Sequence, residues 1–375
     1  MIAVIADDLT GAAEIAGIAL SYGLTVSMHT GPGDVSPSAD LIIVSTDARS
    51  KPLEDALRIT ETSLRWLQSL HPRFIFKKTD SLLRGHVREE LALQMELSGL
   101  QGALLIPANP SLGRTIIAGQ YLVSGVPLAD TPFALDPEFP AKSSDVTEIL
   151  SSAGAISIGL EDALPAMGIK IGNVGSSSEM NEWAGRWTED QIPAGGGDFF
   201  SALLNTFRVS VSVSQLLPSR PLIFVKGTAF GDEAHPVRQA TMSNGTAMLI
   251  TPSMIMSGLE SNIPWVQKAV DMLMERQMLF VGFDHEAFRE AADPVLMRRH
   301  MAVLVDAICT ARMPAEVFIE GGSTAQAILD QMNVRSTRPV GVWTRGVIRL
   351  DTLRSYVTVK PGSYPLPASI IELFA

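Results

Sequence analysis

Residues 1–20, MIAVIADDLTGAAEIAGIAL, decide how this chain is read. The run Ile2, Ala3, Val4 and Ile5 has no polar alternation, so it reads as a parallel strand covered on both faces. Two adjacent carboxylates follow, Asp7 and Asp8. Then Ala12, Ile15, Ala16, Ala19 and Leu20 recur at the spacing of one helical face. Strand, acidic turn and helix form the opening unit of an α/β sheet, which places its ligands at the carboxyl ends of its strands. Like charges side by side at that edge are costly unless a cation, a hydroxyl or a shared proton lies between them. Gly11, Ala12 and Ala13 let the first N–H groups of the helix come close to a ligand. The competing role is a simple helix cap from Asp8 or Thr10. One residue suffices for a cap, and here Asp7, Asp8 and Thr10 crowd together.

Working outward, the same alternation continues. The runs LIIVST (residues 41–46), FIFKKT (74–79) and ALLIPA (103–108) read as strands, and residues 53–70 and 85–97 carry helical spacing. That order predicts βαβ units with right-handed crossovers. Residues 119–140, rich in Gly and Pro, predict a hairpin and a long surface loop. After QLLPSRP (215–221) a second series begins with LIFVKG, AMLIT, MLFVGF and VFIEGG. The expected fold class is therefore α/β, in two domains, each a mainly parallel sheet flanked by helices. The boundary falls near residues 210–220, giving domains 1–212 and 213–375.

Composition narrows the function. The 375 residues are long enough for two real cores, and 46% apolar with 18% charged residues argues against disorder. A net charge of −11 does not support a general nucleic-acid or anionic-membrane footprint. The single cysteine, Cys309, excludes a disulfide framework and fits a reducing compartment. It lies in an apolar helical stretch and reads as core. The six histidines are too scattered to form a metal site. No run is long enough to span a bilayer, and the chain enters a strand without a signal peptide's basic region, so a cytoplasmic protein is expected.

The second informative stretch is FKKTDSLLRGHVREEL, residues 76–91. Between a strand and a helix it gathers Lys77, Lys78, Arg84, His86 and Arg88 in an acidic chain, with Asp80 and Ser81 as hydrogen-bonding groups. Such a loop suits a small anion, because Arg holds a carboxylate through two parallel hydrogen bonds and Lys adds a mobile charge. Arg88 fits better as a helix-surface partner of Glu89 or Glu90. In IPANPSLGRT, Asn109, Ser111, Gly113 and Arg114 follow another strand end, so Arg114 is placed to meet the same anion.

One hydrolytic class fails on a single residue. Haloacid dehalogenase-type phosphatases begin with a strand and D-x-D-x-T. Aligning Asp8 and Thr10 with that motif leaves Ala6 where the nucleophilic aspartate belongs, so no aspartyl-phosphate forms.

The segments ADDLTGAAEIAG, FKKTDSLLRGHVREEL, PANPSLGRT, GVPLADTPFALDP, EGGSTAQAIL and VTVKPGSY occur in one order, and in that order the chain resembles the four-carbon acid sugar kinase family. The resemblance implies a sugar-acid-binding N-terminal domain, a nucleotide-binding C-terminal domain and an active site in the cleft between them. It implies phosphorylation of a threonate, erythronate or 3-oxo-tetronate type acid, with ATP and Mg²⁺. Carried over by position, substrate contacts fall on Asp7, Asp8, Lys78, Asp80, Ser81, Arg84 and Arg114. Arg84, Lys78 or Arg114 would hold the acid group, and Asp8, ahead of Asp7 or Asp80, would be the base. Nucleotide contacts fall on Gly227, Thr228, Gly321, Gly322, Ser323, Thr324, Gly362 and Ser363. Backbone N–H groups at such turns hold phosphate oxygens without a Walker-type lysine, and no G-x-x-x-x-G-K-[ST] is present. The expected partners are the sugar acid and ATP, with neither nucleic acid nor membrane; a homo-oligomer is allowed.

The resemblance breaks in places. VKGTAFGDEAHPVRQA stands where relatives carry a Gly-Ser-x-Ser turn, with Gly227 and Gln239 corresponding and Thr228 in place of serine. The last turn continues as SYPLP instead of Gly-Phe-Gly, and Gly196 and Gly197 read as ordinary turn geometry. Two other classes follow as alternatives: a sugar-acid-binding or regulatory protein without phosphoryl transfer, and a nucleotide-dependent oxidoreductase, suggested by the α/β architecture alone. The second is weakened by the lack of G-x-G-x-x-G after the first strand.

Overall fold

The computed structural model describes residues 1–136, 138–150, 154–207, 216–227, 234–284, 293–362 and 364–374. The chain divides into two compact units, Met1–Ser212 and Val213–Ala375.

Unit 1 is built on β1 (Ile2–Ala6), β2 (Val26–His29), β3 (Leu41–Ser45), β4 (Ile75–Lys78), β5 (Gly102–Ile106), β6 (Arg114–Ile117), β7 (Gln120–Val123), β8 (Val126–Pro127), β9 (Ala155–Ile158), β10 (Gly168–Gly172) and β11 (Gln191–Gly195). Its helices are α1 (Leu9–Ser21), α2 (Leu53–Ser69), α3 (Val87–Ser98), α4 (Val146–Ile149), α5 (Ser177–Arg186) and α6 (Gly197–Asn205). The order β2-β3-β1-β4-β11-β5-β10-β9 is parallel throughout. Every residue of β1, β3 and β5 is buried, as unalternated apolar runs require. In α2 the buried positions Ala56, Thr60, Ser63, Leu64 and Leu67 recur at helical spacing and turn the charged face outward. In α3 the same stripe carries Glu90, which meets Lys77 of β4 at 2.5 Å inside the unit. Gly113, at φ 68°, turns the chain after β5 straight into the hairpin β6–β7, so the hairpin starts earlier than the Gly-rich composition predicts.

Unit 2 contains β12 (Leu222–Lys226), β13 (Ala247–Ile250), β14 (Met278–Phe283), β15 (Glu316–Glu320), β16 (Ser336–Thr344), β17 (Val347–Asp351) and β18 (Tyr356–Lys360). With them are α7 (Pro236–Asn244), α8 (Pro252–Ser261), α9 (Ile263–Arg276), α10 (Pro294–Ala311), α11 (Gly322–Gln331) and α12 (Ala368–Phe374). Strands β13-β14-β12-β15-β18 run parallel, and β17 and β16 add an antiparallel end. Phe280, Phe224 and Phe318 lie in register on β14, β12 and β15, and their rings stack at 5.9 and 5.1 Å with 11° between planes. Phe374 of α12 meets that stack edge-on. Arg349 donates two hydrogen bonds to buried Glu316, at 3.1 and 2.6 Å, and its guanidinium lies over the rings of Trp343 and Tyr356. Cys309 is buried in α10, where burial and Asp306 push its thiol up to about 12, so it packs and does not react.

Among the described residues no helix is long and apolar enough to cross a membrane.

Candidate functional site

Register builds the site of unit 1. Ala6, at the end of β1, pairs with Ser45 of β3 on one side and Lys78 of β4 on the other. The residues that step off these three strands therefore leave the sheet at one level. Asp7 and Asp8 come from β1, Thr46 to Arg49 from β3, and Thr79 to Ser81 from β4. The Thr46 N–H and hydroxyl both donate to the Ala6 carbonyl, and the Ala48 N–H donates to that of Asp7, which ties the loops together.

Arg49 sits at their centre. It grips Asp7 through Nε to Oδ2 at 2.7 Å and Nη2 to Oδ1 at 3.0 Å, and the same Nη2 lies 2.9 Å from Asp8 Oδ1. Its Nη1 lies 3.7 Å from Asp80 Oδ1. Asp80 in turn accepts from Arg84 Nε and Nη2, both at 2.9 Å, and from the Leu82 N–H. Arg84 also reaches Asp136 at 3.0 Å. Lys78 is buried, 3.4 Å from Glu14 and donating to the Thr79 carbonyl. Arg114 donates to the Ser81 hydroxyl and lies over the Phe133 ring. The residues expected from the sequence, Asp7, Asp8, Lys78, Asp80, Ser81, Arg84 and Arg114, thus share one edge of unit 1.

Asp8 combines both roles open to it. It caps α1 by accepting from the Gly11 N–H at 2.8 Å and holds the Thr10 hydroxyl at 2.5 Å. The Cβ that any other residue would bring to Gly11 would stand 2.7 Å from Asp8 Oδ1 and 3.4 Å from the Lys78 side chain, so glycine is needed there. Burial pushes the Asp8 carboxyl up, but Arg49, Thr10, Lys78 and the Gly11 N–H together bring it below the ordinary value. Asp80 is likewise buried, and Arg84 and Arg49 hold it far below the carboxylate range. Both are ionised at neutral pH. The Asp8 side chain is 20% exposed against 4% for Asp7 and 8% for Asp80, which leaves it the most open to an incoming hydroxyl.

The charges of the basic loop sort to different tasks. Lys77 points away and pairs with Glu90, and Arg88 pairs with Glu89 on the helix surface. Beside Arg84 a cavity of ≈ 280 Å³ opens, walled by Leu82, Leu83, Phe133, Phe139, Lys142 and Glu148 among others. Gly196 caps α6 and packs against Asn109, while Gly197 packs against Glu14; both are turn and contact positions.

In unit 2 the carboxyl ends of three adjacent strands carry buried charge: Lys226, Glu320 and Lys360 lie in register. Glu320 accepts from His235 at 3.1 Å and lies 3.3 Å from Lys360. Gly321, at φ 116°, opens α11, and its N–H donates to the Lys360 carbonyl. Gly227 touches Thr324 so closely that a Cβ would stand 1.9 Å from Thr324 Oγ1. The expected nucleotide positions Gly227, Gly321, Gly322, Ser323 and Thr324 therefore gather at one strand edge, with Ser323 exposed and Thr324 buried. Gly362 lies in the turn after β18. Thr228 and Ser363 lie outside the described residues. Tyr364 of the altered last turn covers Gly346 in the β16–β17 turn. Among the described residues no three His, Cys, Asp or Glu side chains group as a metal site.

Arg49 is the residue that motif reading missed. Its signal is the stretch VSTDARS, where a cation stands four residues beyond the end of the buried strand β3. Lys226, Glu320 and Lys360 were legible, each a charge closing an apolar strand.

Residues 2–176 match the family model of the sugar-binding N-terminal domain. A D-threonate kinase of Salmonella typhimurium is 34% identical over 158 residues, 41% of this chain and 37% of that protein. A 3-oxo-tetronate kinase of Brucella melitensis is 34% identical over 155 residues, 40% of this chain and 36% of that protein. Residues 2–176 are thus similar to the sugar-binding N-terminal domain of four-carbon acid sugar kinases. A D-erythronate kinase of Heliobacterium modesticaldum adds a third relative, 29% identical over 164 residues, 42% of this chain and 37% of that protein. The chain thus spans 36–37% of the length of these curated relatives, and the match to the family model lies within unit 1. The fold extends further. A solved structure from Salmonella typhimurium LT2 superposes at TM-score 0.82 with 16% identity, covering 99% of this chain and 98% of that one. A DUF1537 protein of Haemophilus influenzae superposes at 0.76 with 14% identity over the same shares.

Proposed function

We propose that this four-carbon acid sugar kinase relative transfers the γ-phosphoryl group of ATP to a hydroxyl of a threonate, erythronate or 3-oxo-tetronate type acid. The observation that carries the reading is the Arg49-centred cluster. Three carboxylates from two strand ends are gathered around one guanidinium, with Asp8 the most open, at the edge where an α/β sheet binds its ligand. The cluster lies within the stretch that matches the sugar-binding domain.

In this mechanism the sugar acid lies on the strand ends of unit 1, its hydroxyls near the aspartates and its acid group on a basic side chain. Asp8 accepts a hydrogen bond from the attacking hydroxyl and takes its proton as the new O–P bond forms and the bond to ADP breaks. A carboxylate held below its usual pKa is a weak base, and that suffices, because phosphoryl transfer depends mainly on positioning and electrostatics. Arg49 keeps Asp7, Asp8 and Asp80 from repelling one another and holds them in place before substrate arrives. In unit 2, the turns at Gly227, Gly321 and Gly362 bring phosphate oxygens to the first N–H groups of α11, at Gly322, Ser323 and Thr324, assisted by the buried lysines. Thr228 and Ser363 complete the proposed set. The aspartates of unit 1 are committed to arginines and do not offer a divalent ion a vacant ligand set, so Mg²⁺ would be carried by the nucleotide phosphates.

The test is ADP release by the full chain with a panel of C4 aldonates and 3-oxo acids. Release that depends on one such acid is expected; none with any acid would end the kinase reading. The altered stretch VKGTAFGDEAHP favours one second reading, a sugar-acid-binding protein that no longer transfers phosphate. Calorimetry separates the two, since that protein would bind the acid and not ATP.

A further inference from the structure

Tyr121 lies on β7 and is fully buried, yet its hydroxyl has no hydrogen-bond partner among the described residues. A buried donor left unpaired costs free energy comparable to a lost hydrogen bond, so native structures seldom keep one without a use. Its position says what the use is. In the β6–β7 hairpin Arg114 pairs with Val123 and Ile116 with Tyr121, so Arg114 and Tyr121 project from the same face. Burial raises the phenol's proton affinity above its ordinary value, opposed by Arg114 and reinforced by Asp80. The phenol therefore keeps its proton and acts as a donor.

The missing partner must be an acceptor. Arg114 offers only donors. The Asp80 oxygens already accept from Arg84, from the Leu82 N–H and from the Arg84 N–H. Of the three cations proposed for the acid group, Arg84 is paired with Asp80 and Asp136, and Lys78 with Glu14. Among the described residues Arg114 makes one side-chain hydrogen bond, to the neutral Ser81 hydroxyl, and is paired with no carboxylate. A guanidinium with N–H groups to spare beside an unpaired phenol is a two-donor receptor for one carboxylate.

We propose that Arg114 and Tyr121 together bind the carboxylate of the substrate, with Tyr121 the residue that distinguishes the acid from its neutral polyol. This rests on the sugar-acid reading above and adds to it which end of the site receives the acid group.

The test is calorimetry of the full chain with threonate and erythronate and with the matching polyols threitol and erythritol, on wild-type protein and Tyr121→Phe. The expected result is an affinity for the preferred acid lowered about 10- to 100-fold in the variant. Polyol affinity should stay unchanged, so that discrimination shrinks, with a melting temperature at or above the wild-type value. If the variant binds the acid as tightly as wild type, this inference fails and the sugar-acid reading stands. A large drop in melting temperature would show that the hydroxyl has a partner in the fold, and would equally overturn it. If wild-type protein binds neither acid nor any other C4 acid, the sugar-acid reading fails, and this inference with it.

Discussion

Arg49 holds Asp7 through two parallel hydrogen bonds of 2.7 and 3.0 Å while the same guanidinium lies 2.9 Å from Asp8. One cation thereby fixes two adjacent carboxylates that would otherwise repel, and a third, Asp80, lies at 3.7 Å. Replacing Arg49 with Met should cost about 3–5 kcal/mol of stability, because it leaves buried charges uncompensated. Urea unfolding measures this. A loss below about 1 kcal/mol would mean that the carboxylates do not depend on Arg49.

Asp8→Asn keeps a cap for α1, since Asn and Asp cap about equally well. It removes the proton acceptor. Turnover at saturating substrates should fall about 100-fold or more, with acid affinity changed only a few-fold. Steady-state kinetics beside calorimetry would show it, and near-normal turnover would remove Asp8 from the mechanism.

The sign of the pH dependence follows from the same cluster. Asp8 and Asp80 ionise at lower pH in the folded protein than the ordinary 3.8. A carboxylate of this kind stabilises the fold fully above its unfolded pKa, and that stability is lost as pH falls through the folded value. Stability from this cluster should therefore stay level from neutral pH to about pH 5 and decline only below about pH 4. Melting temperatures across that range, compared between wild type and Asp8→Asn, would reveal a cluster that titrates near neutrality if the difference changed between pH 6 and 8.

The architecture was legible because unalternated runs such as LIIVS and GALLI announce buried parallel strands by composition alone. The antiparallel end β16–β17 was not, since Ser336–Thr344 mixes exposed and buried positions and its pairing is a long-range outcome. Asp7, Asp8, Lys78 and Asp80 could be found from strand ends. Arg49 stands in a stretch without a recognised motif, and only the register of β3 against β1 brings it between the aspartates. Tyr121 resembles any hairpin core aromatic; its unpaired hydroxyl is a property of the packed structure.

Lys170 offers a stability test away from the site. It is buried on β10 without a hydrogen-bond partner, and burial lowers its pKa to about 8, opposed by Asp190. Below pH 8 the folded protein must keep a buried ammonium, which is unfavourable. Between pH 8 and the ordinary 10.5 the unfolded chain binds more protons, so stability from this residue rises with pH. Lys170→Met should therefore stabilise unit 1 at pH 7, by up to about 3 kcal/mol, with the gain shrinking toward pH 10.5. A gain that does not change with pH would contradict the assignment.

The central claim is that unit 1 captures a four-carbon sugar acid which the full chain then phosphorylates from ATP. The most direct measurement is mass-resolved product analysis after incubating the chain with ATP, Mg²⁺ and threonate, erythronate or a 3-oxo-tetronate in turn. The account predicts a phosphorylated acid from at least one of them, formed in equal amount with ADP, and at least about 100-fold more slowly in Asp8→Asn. Absence of any phosphorylated acid, or ADP formed equally without one, would contradict it.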